Sequence, residues 1–272
     1  MRMESKKGAH YFITLTGIVT VIFLLASLTD RELFRFHFNL FGFSLGLGVN
    51  AMELLIPLAA AVSVLGMYHA LHTQMQISRD QIIIHLFLPF TVTLTIGFTL
   101  RNMNNGMTGW GLLFVSAALH FLVLRFEYIS CDPDSSYRPA SIIVLDSLCY
   151  AVFLLFAIAL RANVSRLIIT LPAMFILCLG VSLKIYAFHI IGSSLPLLGC
   201  VTGFIICCAD TGLHYWPVNI VSYGSLIFLW YYIITNLIIG ADRDEPVKSI
   251  IRRIMPAGIP VLFILVYSLI RL

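Results

Sequence analysis

The chain has 272 residues, 60% of them hydrophobic and only 11% charged, with a mean hydropathy of +0.96. A soluble domain carries about 25% charged residues, so this composition cannot cover a soluble surface and excludes a water-soluble enzyme or binding module. The net charge of +4 is not gathered into a basic run interleaved with aromatics, and no nucleic-acid partner is expected.

The apolar residues fall in blocks of roughly 17–24, the length that crosses a hydrocarbon core of about 30 Å. Backbone groups in lipid must pair within their own segment, and the blocks lack the alternation of barrel strands, so the spans are predicted to be helices. The first runs over residues 11–28. Residues 1–10 before it are basic, but the apolar run leads to Asp30-Arg31-Glu32 with no small-residue cleavage site, so a cleavable signal peptide is not expected. A polar break, Thr29-Asp30-Arg31-Glu32, follows. In residues 33–50, Phe34, Phe36, Phe38, Phe41 and Phe43 are interspersed with Arg35, His37 and Asn39. This stretch is too polar to span and is expected to be interfacial or re-entrant. Further spans are predicted at 51–71, 82–100, 110–129, 142–160, 167–188, 195–209, 219–239 and 256–270, the last carrying Gly258, Pro256 and Pro260. The expected fold class is therefore all-α, a polytopic bundle of about nine transmembrane helices forming one domain over residues 1–272.

Nine spans put the termini on opposite sides. With the N-terminus inside, eleven Lys and Arg residues fall on the inner side and six on the outer, the sign of the positive-inside rule. A plasma or inner membrane with a cytoplasmic N-terminus is the expected location. The six cysteines show no CxxC spacing and sit mostly in apolar blocks, as small hydrophobes do. No metal and no cofactor is expected.

The stretch Cys207 to Gly224 joins two apolar spans and concentrates Asp210, His214, Tyr215, Trp216 and Pro217 where one ends and the next begins. Asp210 and His214 stand four apart and share a helix face if the helix continues through Thr211. That spacing could hold a metal, yet no third or fourth ligand pattern accompanies it. Asp210, His214 and Trp216, with Glu53 and either Arg101 or Arg161, are expected to line an outer-face pocket suited to a small anion or a lipid headgroup. The competing account is an interfacial aromatic belt beside a locally neutralised aspartate. Arg125 and Asp146 lie at matched depth in consecutive spans and are expected to form a structural ion pair. Lys184 is expected to snorkel to the inner interface.

Three functions fit. A transporter-like or lipid-binding protein would handle a small solute or lipid at the outer face. A non-catalytic subunit or scaffold would be held by membrane-protein partners or by further copies of itself, with membrane lipids around it. The third rests on Asp30-Arg31-Glu32 after the first span, which resembles the acidic first outer loop of multi-pass glycosyltransferases that use polyprenyl-phosphate donors. That resemblance covers three residues and implies a membrane-embedded transferase acting on a lipid-linked substrate.

Overall fold

The structure, a computed structural model, describes residues 2–29, 32–40, 43–74, 79–101, 107–163, 166–190 and 194–270; for residues 2–9, 32–49, 74, 79–81, 108, 257, 262 and 264–270 it describes the backbone alone. Among the described residues, nine helices and one hairpin follow in order: α1 (Arg2–Leu28), β1 (Glu32–Leu40), β2 (Phe43–Asn50), α2 (Ala51–Gln74), α3 (Arg79–Arg101), α4 (Met107–Cys131), α5 (Arg138–Asn163), α6 (Leu167–His189), α7 (Leu195–His214), α8 (Ile220–Asp242) and α9 (Val247–Ile270). Among the described residues, α1 to α8 each contain a stretch long and apolar enough to cross a membrane. The chain is thus a multi-pass integral membrane protein with an all-helical membrane domain. The predicted ninth span falls in α9, which is not among those eight.

The stretch expected to lie flat or re-enter is an antiparallel hairpin. Phe34, Phe36 and Phe38 pair with Val49, Leu47 and Leu45, while Arg35, His37 and Asn39 pair with Gly48, Gly46 and Ser44. Successive strand residues occupy opposite faces, so the alternation sorts an apolar set from a polar one. The acidic turn before the hairpin and the Asn-rich turn at 102–106 fall largely outside the described residues, Asp30 and Arg31 included.

Contacts divide the chain into two compact units, Met1–Ile82 with Pro89–Arg138 and Ile83–Leu88 with Pro139–Leu272. In the first, α1 packs on α2 and α4. The Tyr11 hydroxyl donates to the Gly66 carbonyl at 2.9 Å, and a Cβ on Gly97 would stand 2.7 Å from Ile56. Small residues let membrane helices approach this closely. Buried His120 ties α4 to its neighbours, with Nε2 2.8 Å from Ser63 Oγ and Nδ1 3.4 Å from Thr16 Oγ1.

In the second unit, α6 packs on α7 and α8, α8 packs on α7 and α9, and Gly180 leaves room for the Phe87 ring. Three hydroxyl pairs cross between helices: Tyr150 to Thr235 at 3.1 Å, Ser182 to Tyr231 at 3.2 Å and Tyr186 to Thr202 at 2.7 Å. Such bonds are each worth about 0.6–2 kcal/mol in a membrane and lock α5, α6, α7 and α8 in register. Large apolar side chains such as Ile168 and Phe204 cover the outside, as a lipid-facing surface requires.

Candidate functional site

The polar residues of the second unit gather at two ends. At one, α7 continues past Thr211 and Gly212 to His214, so Asp210 and His214 do share a helix face. Asn219 caps α8, its Oδ1 accepting from the Ser222 N–H at 2.7 Å, and this begins the return helix within five residues of His214. The short turn brings Tyr223 against Asp210, whose Oδ1 accepts the tyrosine O–H. Asp210, Ser222 and Tyr223 are buried. Asp210 Oδ2 and Ser222 Oγ find no partner among the described residues.

Arg161, in the last turn of α5, reaches the same place. Its Nη1 lies 3.0 Å from His214 Nδ1, and its Nη2 donates to the His214 carbonyl at 3.0 Å. A helix C-terminus carries orphan carbonyls and partial negative charge, so the guanidinium caps α7 as well as binding the ring. Arginine offers donors only, so His214 Nδ1 must present its lone pair and the ring proton sits on Nε2. The Arg161 Cζ stands 5.1 Å from the Tyr223 ring centroid, within reach of a cation–π contact. Tyr215 and Trp216 follow with exposed side chains.

The remaining expected members are placed as follows. Arg101 Nη2 bonds Glu53 Oε1 at 2.9 Å within the first unit, so each charge there meets the other. Asp146, expected to pair with Arg125, instead lies against His189 at the end of α6, with Oδ2 3.3 Å from Nε2. Arg125 belongs to α4, which packs in the first unit, and Asp146 to α5, which packs in the second. Lys184 does not snorkel. It is fully buried, with Nζ 2.7 Å from His85 Nδ1 and 4.7 Å from the Phe188 centroid.

The sequence reading missed Tyr223, and a signal for it existed. Asp210 lies four residues before the end of α7 and Tyr223 three after the start of α8, the matched-depth reasoning applied instead to Arg125 and Asp146. Among the described residues no group of three His, Cys, Asp or Glu could hold a metal. A narrow cleft beside His120, lined by Val19, Phe23, Ile96 and Ser116, has room for no more than about one water molecule.

The model of a family described as a protein of unknown function, DUF5656, matches residues 31–269. No curated protein and no solved structure matches the chain.

Proposed function

Since the chain belongs to DUF5656, a family whose description assigns no activity, we propose a function from side-chain chemistry: the protein handles an anionic headgroup or small anion at the Arg161–His214 end of α5, α7 and α8. The observation that carries this reading is the state of Arg161. Two of the five N–H donors of a guanidinium hold His214, which fixes the fork in place and leaves the others for an oxyanion. Asp210, the carboxylate of this end among the described residues, is occupied by Tyr223 and buried. The exposed cation here is Arg166, at the start of α6. Tyr215 and Trp216 supply the amphipathic rings that seat at headgroup depth. Partial dehydration strengthens the Coulomb attraction above its value in water.

The test measures anionic phospholipid retained after purification in mild detergent, by native mass spectrometry. The wild type is expected to retain phosphatidylglycerol over phosphatidylcholine, and Arg161→Gln to lose at least about tenfold in retention, the equivalent of about 1.4 kcal/mol. Competition by inorganic phosphate would identify a soluble anion as the ligand, and its failure would identify the lipid headgroup. Equal retention by wild type and Arg161→Gln would overturn the reading.

A further inference from the structure

At the other end of the same helices a second arginine holds a second helix-terminal histidine. His189 closes α6 as His214 closes α7. Arg243, the residue that ends α8, places Nη2 3.1 Å from His189 Nδ1 and donates to the His189 carbonyl at 3.2 Å. On the far side of the ring, Nε2 meets Asp146 Oδ2 at 3.3 Å. The two clamps are separated along α5 by the fifteen residues from Asp146 to Arg161, about 22 Å of helix. We propose that His189 is a proton-operated latch, whose protonation releases Arg243 and frees the end of α6 from the end of α8.

The chemistry follows from donors and acceptors. Arg243 cannot accept a hydrogen bond, so the latched state requires an unprotonated Nδ1, with the ring proton on Nε2 donated to Asp146. Adding a proton at Nδ1 removes the lone pair and sets an imidazolium N–H against a guanidinium N–H. The Asp146 bond survives this change, the Arg243 bond to Nδ1 does not, and the Arg243 bond to the His189 carbonyl must yield to the repulsion between the two cations.

Arg243 has a second place to go. Its Nη1 is already 3.9 Å from Glu245 Oε1. The backbone turn that brings Glu245 back beside α8 is fixed by Asp244 at φ 49 and by the bond from the Glu245 N–H to the Gly240 carbonyl at 2.9 Å. An arginine poised between two acceptors makes a two-state element.

The other ionisable groups around the latch leave it this freedom. On α6 itself Lys184 is turned to His85 of α3 and to Phe188. Among the described residues, the first turns of α7 carry the exposed Cys200, and Tyr150 of α5 and Tyr232 of α8 lie in electrostatic reach of Asp146. From α9, Arg253 is held on Glu245 by bonds of 2.9 and 2.6 Å. The latch stands apart from the headgroup reading, which concerns the opposite end and a different arginine.

The experiment is hydrogen exchange by mass spectrometry on the full chain in nanodiscs, read at the amides from Tyr186 to Ile190, at about pH 8 and about pH 5, which bracket histidine's range. Wild type is compared with His189→Gln at each pH, so that the intrinsic pH dependence of exchange cancels. A glutamine can accept from Arg243 and donate to Asp146 but cannot take up the proton. The ratio of wild-type to variant exchange is expected near one at the higher pH and roughly tenfold at the lower, the scale of a local opening. A ratio that does not change between the two overturns the latch. Should His189→Gln fail to fold, Arg243→Gln replaces it, because it removes the repelling cation. Persistence of the wild-type acid-induced rise in that variant overturns the proposal equally.

Discussion

At the scale of single residues, a carboxylate inside an apolar helix survives only by what reaches it. Asp210 has the Tyr223 hydroxyl on one oxygen and the Arg161 guanidinium in its neighbourhood. Tyr223→Phe removes the hydrogen bond and strands the buried acid. The expected loss is about 1–3 kcal/mol, read as a lower midpoint of thermal unfolding in detergent. The double variant Tyr223→Phe with Asp210→Leu is expected nearer to wild type than Tyr223→Phe alone, since replacing both partners removes the orphan. A Tyr223→Phe protein as stable as wild type would discard this account. Glu245, in the turn outside the membrane segments, behaves differently. The hydrogen bond from Arg253 holds its carboxyl below the ordinary value of 4.5. A depressed carboxylate contributes stability that is whole above its unfolded value and is lost as pH falls through its lower folded value. Exchange protection of the α8–α9 turn should therefore fall on acidification below about pH 4.5, and Glu245→Gln should abolish that acid dependence. Acid loosening that is identical in the variant would refute the assignment.

At the scale of elements, the hairpin and the end of α8 show local chemistry at work. Alternation of Phe34, Phe36 and Phe38 with Arg35, His37 and Asn39 is a period of two, the signature of a strand. Its polarity rules out a span, while a period of two over so few residues is a weaker signal than the long apolar blocks on either side. The ladder resolves the matter by pairing apolar with apolar positions. At the close of α8, Asp244 adopts the left-handed conformation, which costs a residue with a Cβ about 1–2 kcal/mol and glycine almost nothing. Asp244→Gly is expected to raise the unfolding midpoint slightly, and Asp244→Val to lower it by about 1 kcal/mol or more. The order of the three midpoints checks the assignment, and a valine variant at least as stable as the glycine variant would contradict it.

At the scale of the whole molecule, the eight apolar helices set a parity. Eight crossings would return the chain to the side from which it started, so the turn after α8 would lie on the side of the N-terminal end of α1. A reporter inserted after Asp244 should therefore read the same side as one fused to the N-terminus, and opposite readings would show that one of the eight does not cross.

The membrane class, the helical spans and most of their boundaries were determined by the sequence alone. A hydrocarbon core imposes one length scale and one hydrogen-bonding solution on any chain that crosses it, and both are visible one segment at a time. The same reading singled out Asp210, His214, Arg161 and Glu53, where charge interrupts or borders apolar runs. Partner choice was decided only by tertiary packing. Asp146 meets His189, Lys184 turns inward to His85 instead of outward to the interface, and Arg161 and Arg243 close helices to which they are not joined in sequence. These choices depend on which helices lie side by side and how each is rotated. An apolar face that looks onto lipid reads in the sequence much like one that looks onto another helix, because both neighbours are equally apolar.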